Sequence, residues 1–253
     1  MNKLGVKFYH DPTNIEVGLD ECARGCLFGR TYTAAVIWNP EFLNSVQEDP
    51  EYALIHAIRD SKKMTPRKRK QVSEFIKEHC LDYSIQWADE REIDKTNILK
   101  AVQRCFHTCL DSLNITPDKI FVDGTVFYRY KYIPYECIEQ GDNHYLNIAS
   151  ASILAKVAHD EYIADLCDKH PELIERYDIA RNMGYGTKNH LDGIANYGIT
   201  PFHRRTFGCC KGYKPGAGAG GGGGGGGGAA GSVIETEDDD SVDVEPSLEK
   251  ALP

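Results

Sequence analysis

A short, mostly apolar run, Ile15 to Leu19, ends on two adjacent carboxylates, Asp20 and Glu21. It then breaks into a turn of small residues carrying one arginine, Cys22-Ala23-Arg24-Gly25-Cys26. No other stretch restricts the fold as strongly. It reads as a strand that delivers charge to its own end, where rigid scaffolds commonly mount functional groups on the following loop. Taken alone, an Asp-Glu pair is also an ordinary solvated loop start, and both readings stand until further signs accumulate.

Two such signs follow. Lys119-Ile120-Phe121-Val122-Asp123-Gly124 reads as a short buried strand that again ends on an aspartate beside a glycine. The longest helical pattern, Asn147 to His170, carries Ser152, Lys156 and Asp160 every four residues. That spacing makes one polar stripe on a helix otherwise lined by Ile148, Ile153, Leu154 and Val157. Its first turns (Ala149, Ser150, Ala151, Ser152, Ala155) are small enough to let another backbone approach closely.

The remaining pattern is α/β. Thr31 to Trp38 is β-branched and aromatic and predicts a strand paired back on the first. Residues 39–50, acidic and bracketed by prolines, predict a loop. Thr65-Pro66 is a helix cap with proline in the first turn, opening a helix to about His79 with Val72, Phe75 and Ile76 inward. A strand over Asp82 to Trp87 comes next, then a short acidic helix over 89–94. Asn97 caps a helix with Leu99, Val102, Phe106 and Leu110 at helical spacing, ending near Asn114. Tyr135 to Ile138 predicts a further strand leading to Gly141-Asp142. Beyond His170, residues 177–181, 184–190 and 201–207 read as short helices and loops, one helix opening at Lys188.

Composition enters through charge and cysteine. The net charge of -9 is concentrated in the tail, because residues 215–253 hold eight acids and one base, which leaves the first 214 residues near neutrality. A near-neutral body still binds polyanions if its bases cluster. Lys62, Lys63, Arg67, Lys68, Arg69 and Lys70 do so within nine residues, although a solvated helix face reads the same way. The glycine- and acid-rich tail has too little apolar surface to offset ordering entropy and is expected to be disordered. Nine cysteines show no zinc or disulfide spacing and read as reduced thiols, most of them small core residues. No signal peptide or membrane-spanning run is apparent, so an intracellular, cytoplasmic protein is expected, with the nucleus open for a eukaryotic source.

The motifs taken in order resemble the type 2 ribonuclease H family. Asp20-Glu21-Cys22-Ala23-Arg24-Gly25, Asp60-Ser61-Lys62-Lys63, Asn97-Ile98-Leu99 and Val122-Asp123-Gly124 stand where that family has related words. So do Ala151 to Asp160, Gly184-Tyr185-Gly186-Thr187-Lys188 and His203-Arg204-Arg205-Thr206-Phe207, and the resemblance spans residues 14–207. It implies a ribonuclease H-like α/β fold with a mixed five-stranded sheet flanked by helices: a catalytic core over 1–165, a C-terminal helical cap over 166–214 and the tail beyond.

It further implies an endonuclease that hydrolyses the RNA strand of RNA/DNA hybrids and cuts 5' of ribonucleotides embedded in duplex DNA, leaving 5'-phosphate and 3'-hydroxyl ends. Asp20, Glu21, Asp123 and Asp160 are the carboxylates the resemblance offers as metal ligands. Four such charges suit two divalent ions, and oxygen-only donors suit Mg²⁺ or Mn²⁺. Backbone groups of Ala23, Arg24 and Gly25 are expected at the 2'-hydroxyl, Tyr185 against the next sugar, and Lys62 and Asn97 at phosphates. Lys156 is expected either to support the site or to form a structural ion pair. Ala23 replaces a glycine of the family word, Cys26 a proline and His159 an arginine. RNA/DNA hybrids and ribonucleotide-containing DNA are the expected partners of a monomer, with accessory subunits left open. A different nuclease on the same fold, and a hybrid-binding subunit with a decayed site, are the alternatives.

Overall fold

All seven residues of the strand Thr31–Ile37 are buried, which happens only when both faces of a strand are covered. In this computed structural model, which describes residues 5–46, 49–59, 61 and 64–213, that strand is β2 of a five-stranded sheet. The other strands are β1 (Glu16–Cys22), β3 (Asp82–Ala88), β4 (Lys119–Asp123) and β5 (Tyr135–Ile138). The order is β3-β2-β1-β4-β5. β2 runs antiparallel to β1 and β3, whereas β4 is parallel to β1 and β5 parallel to β4. The sheet is therefore mixed, as the resemblance implies. Expectations placed on Asp60, Lys62, Lys63 and the tail from Pro215 lie outside the described residues.

Side-chain alternation along β2 divides two cores. Tyr32, Ala34 and Val36 join Leu146, Ala149, Ile153 and Leu154 of α5 (Leu146–Lys169) and Val72, Phe75 and Ile76 of α2 (Pro66–His79). Ala35 and Ile37 face the other way, with Val17 and Leu19, onto Val102, Phe106, Cys109 and Leu110 of α4 (Ile98–Asp111). Burying each large side chain is worth about 1.5–3 kcal/mol, so both faces of the sheet are firmly held. The small residues opening α5 meet a glycine: a Cβ on Gly18 would stand 2.3 Å from the Asn147 carbonyl carbon and 2.4 Å from the Ile148 nitrogen. This contact brings α5 down onto β1.

One expectation fails in the N-terminal half. Residues 39–50 do not form a loop, because α1 (Pro40–Ser45) lies within them. The Asn39 side chain accepts from the Glu41 N–H, and Pro40 occupies the first turn, where its missing N–H costs nothing. The proline opens a helix instead of bracketing a loop. Asp49 and Pro50 repeat the arrangement at the start of a 3₁₀ segment, Pro50–Ala57.

After α3 (Glu90–Thr96) and the elements above, the chain ends its described part in α6 (Glu172–Tyr177), α7 (Ile179–Asn182) and α8 (Lys188–Tyr197). These close a separate cluster in which Phe28, from the loop after β1, packs with Ile163, Leu173, Tyr177, Ile179 and Ile194. A backbone bridge joins Phe28 to His203. The turn that follows Glu21 is thus clamped by the C-terminal segment. No described helix is long and apolar enough to cross a membrane.

Candidate active site at the end of beta1 and beta4

β1 is the strand at which chain connections part, to β2 and β3 on one side and to β4 and β5 on the other. Its parallel partner β4 ends beside it. A crevice outside such strand ends is the usual binding place in open α/β sheets. Here a cavity of about 600 Å³ opens there, and Asp20, Glu21 and Asp123 line it. The Cys22 to Gly25 turn, Ser152 and Lys156 of α5, and Tyr185 complete much of its wall.

Asp20 shares a strand face with Gly18 and so points toward α5, where Ser152 lies in the same cavity wall. The Glu21 N–H donates to its Oδ1 at 2.7 Å. Burial pushes the Asp20 carboxyl well above its ordinary value, and the neighbouring charges of Glu21 and Asp123 push it further. These acids strain against sharing one space unless a cation joins them.

Asp142 is a fourth acid in the same wall. The Gly141 N–H donates to Asp123 Oδ1 at 2.6 Å, and the Gly124 N–H donates to the Ile138 carbonyl at 3.0 Å. The turn leaving β5 therefore folds back over the end of β4. Gln140 takes a left-handed conformation there (φ 53°), and a Cβ on Gly141 would stand 2.6 Å from Ile148 Cδ1, so the turn lies tightly on α5. Sequence reasoning passed over Asp142 as the end of a strand connection. The signal was available in topology, since a strand parallel to β4 releases its next residues at the same edge.

Asp160, expected among the metal ligands, stands differently from the other three acids. It is not in the cavity wall. Its Oδ1 accepts from Lys156 Nζ at 2.7 Å and its Oδ2 from Arg69 Nη1 at 2.8 Å. Eight residues separate it from Ser152, which is about 12 Å of helix axis. The four-residue stripe exists as expected, and its last member meets the cavity through Lys156 and Arg69, which line it. Burial raises the Asp160 carboxyl, yet the hydrogen bond and charge of Lys156, with the His159 ring 3.5 Å away, outweigh that and leave it below its ordinary value. Arg69, one of the clustered bases, is likewise not a solvated face: it is buried, and it also donates to the Ser61 and Met64 carbonyls.

The other expected contacts divide. Ala23, Arg24, Gly25 and Tyr185 line the cavity. Tyr185 is 41% exposed and is held beside the opening loop through Gly184, whose carbonyl accepts from the Leu27 N–H at 2.9 Å. A Cβ on Gly184 would stand 2.8 Å from the Phe28 carbonyl oxygen, so that approach needs glycine. Ala23 sits at φ 66°, a region that favours glycine. Arg24 reaches toward Glu21 at 3.9 Å with half its side chain exposed. Asn97 lies outside the cavity wall, and its side chain caps α4 by accepting from the Lys100 N–H at 2.9 Å. Lys62 lies outside the described residues.

The four acids at the cavity offer only oxygen donors, which fits a hard divalent cation. Among the described residues no three His, Cys, Asp or Glu side chains already stand in ligating geometry. The acids share a cavity and not a closed cage.

A family model described as Ribonuclease HII matches residues 17–210. The Ribonuclease HII of Bacteroides thetaiotaomicron is 39% identical over 193 residues, 76% of this chain and 89% of that protein. That of Trichodesmium erythraeum is 39% identical over 197 residues, 78% of this chain and 88% of that one. Among solved structures, the ribonuclease H2 from Pyrococcus horikoshii OT3 superposes with a TM-score of 0.60 at 24% identity, covering 76% of this chain and 93% of its own. Bst-RNase HIII in complex with Mn²⁺ gives 0.54 at 16% identity, over 72% and 69%. At these identities the two solved structures speak for the fold.

Proposed function

The chain belongs to the ribonuclease HII family and is a type 2 ribonuclease H, and on that premise we propose that the cavity at the ends of β1 and β4 is its hydrolytic site. Its substrate is a duplex in which one strand contains ribonucleotides, either an RNA/DNA hybrid or a single ribonucleotide embedded in DNA. The observation that carries this reading is one shared wall: Asp20, Glu21, Asp123 and Asp142 beside the Ala23 to Gly25 turn and Tyr185.

The four acids would hold Mg²⁺ or Mn²⁺, two ions by charge balance. Bound there, such ions supply neutralisation of phosphate charge and a more acidic attacking water. The chain's own residues do the rest. The Glu21 N–H holds Asp20 at the acid edge of the cavity. Lys156 places a cationic head in the same wall, where a phosphodiester's charge is favoured. The backbone of Ala23 to Gly25 faces the 2'-hydroxyl, the one group that separates ribose from deoxyribose. Tyr185 offers an exposed ring to the adjoining sugar. Hydrolysis on the 5' side of the ribonucleotide leaves a 3'-hydroxyl on the preceding nucleotide and a 5'-phosphate on the ribonucleotide. We assign residues 1–165 to the catalytic core and 166–214 to a cap that positions Tyr185.

The test is a labelled duplex carrying one ribonucleotide, incubated with Mg²⁺ or Mn²⁺, with both product ends identified. A 5'-phosphate on the ribonucleotide is expected. Cleavage of an all-DNA duplex at the same rate marks a nuclease that ignores ribose, and no cleavage of either marks a binding subunit.

A further inference from the structure

Arg204 is the bulkiest fully buried side chain among the described residues, and no carboxylate among them stands within ion-pair distance of it. Burial of a guanidinium is costly unless its donors are used. Here each of its three nitrogens donates into one loop. Nε donates to the Gly29 carbonyl at 2.9 Å, Nη1 to the Arg24 carbonyl at 2.8 Å and Nη2 to the Ala23 carbonyl at 2.9 Å. The Phe207 ring lies 5.2 Å from the guanidinium carbon and supports the fork.

The consequence for the loop is directional. In a trans peptide the C=O and the N–H point opposite ways. Drawing the Ala23 and Arg24 carbonyls toward Arg204 therefore turns the Arg24 and Gly25 N–H groups away from it. Arg204 is no part of the cavity wall, while Ala23, Arg24 and Gly25 are, so the far side of the loop is the cavity side. Neither N–H donates to any other group among the described residues. The left-handed Ala23 (φ 66°) sets these peptide planes in a conformation that an alanine does not hold unaided.

We propose that Arg204 is the positioning residue for ribose recognition: its three-pronged hold on the loop aims the Arg24 and Gly25 N–H groups at the 2'-hydroxyl oxygen of the substrate. This rests on the proposed function above and adds to it the group that sets its selectivity. The segment's docking does not depend on this side chain. The Arg204 N–H donates to the Leu27 carbonyl at 2.9 Å, and the Phe28–His203 bridge is backbone as well. A substitution at the side chain thus loosens the loop's aim while leaving the segment attached. Lysine cannot replace the fork, since one ammonium does not reach three carbonyls held in a plane.

The experiment measures KM for a duplex with one embedded ribonucleotide and Ki for the same duplex without it, used as competitor, in wild type, Arg204→Lys and Arg204→Met. A ratio Ki/KM well above one is expected for wild type. Arg204→Lys should lower it about tenfold, the worth of one or two hydrogen bonds, with Ki for all-DNA duplex unchanged because phosphates are common to both. A ratio that both variants leave unchanged, with loss only in melting temperature or active fraction, makes Arg204 a structural tie and overturns the proposal. A wild-type ratio near one overturns the proposed function and this inference with it. Amide exchange in the chelated wild-type protein needs no variant. Protection of Arg24 and Gly25 N–H by the ribonucleotide duplex alone supports the proposal, and equal protection by both duplexes, or by neither, overturns it.

Discussion

Asp20 and Asp160 are both largely withdrawn from water, yet their carboxyls move in opposite directions. Asp20 is pushed up by burial and by Glu21 and Asp123. Asp160 is also raised by burial, but its hydrogen-bonded and cationic neighbours bring it below its ordinary value. Lys156 and Arg69 occupy its two oxygens. The difference lies in what each acid has for company. An acid among acids is stabilised by a cation from outside, whereas an acid between Lys and Arg already has its counter-ions and little reason to ligate another. Proximity in sequence pattern does not separate these cases; the neighbours contributed by other elements do.

The largest effect expected from breaking this contrast is at the acid cluster. Asp123→Asn should lose about a thousandfold or more in turnover, several kcal/mol of barrier, and Asp142→Asn a loss of the same order. Asp160→Asn should stay within about tenfold of wild type. Steady-state cleavage of a single-ribonucleotide duplex decides it, and equal losses at Asp142 and Asp160 would erase the distinction. Tyr185→Ala comes next, with a loss of about tenfold to a hundredfold from a lost stacking surface. That loss should be larger for a lone ribonucleotide than for continuous RNA, where other registers are available. Kinetics on the two substrates reads the difference.

In stability the order reverses. Asp160→Asn strands two cations against a partly buried site and should cost about 1–3 kcal/mol at neutral pH. Because the Asp160 carboxyl is lowered by folding, its contribution is complete above the ordinary value of 3.8 and fades as pH falls through the lower folded value. Asp20 has the opposite sign. Its carboxyl is raised, so in metal-free protein its favourable contribution is present at low pH and is lost as pH rises through the folded value. In chelator at neutral pH, Asp20→Asn should therefore melt at or above the wild-type temperature and Asp160→Asn below it. Denaturation curves across pH check both signs. The smallest effect is Ala23→Gly. It relieves a left-handed alanine at the cost of unfolded-state entropy, for a change of about 1 kcal/mol or less, with turnover on continuous hybrid unchanged.

The strands are readable because burial on both faces leaves continuous apolar runs, as in β2, and because β1 and β4 carry Asp20 and Asp123 at or near their ends. α1 was misread because Pro40 and the acids around it suit a loop as well as a capped helix start. Asp160 is offered by the resemblance and supported by helical periodicity, which reports the face a residue occupies and not its distance along the axis. Asp142 was missed because only the parallel pairing of β5 with β4 places it, and long-range pairing leaves no local trace. Arg69 looked like surface charge for the same reason: its partner lies 91 positions away. Arg204 was visible as part of a motif, but its task depends on carbonyls 175 to 181 residues earlier in the chain.

The most direct test of the central claim is to locate the cation. Crystals soaked in Mn²⁺ and measured at the manganese edge should show anomalous density among the carboxylates of Asp20, Glu21, Asp123 and Asp142, with Asp160 still bound to Lys156 and Arg69. Density coordinated by Asp160, with its ion pairs broken and Asp142 turned away, would contradict the account.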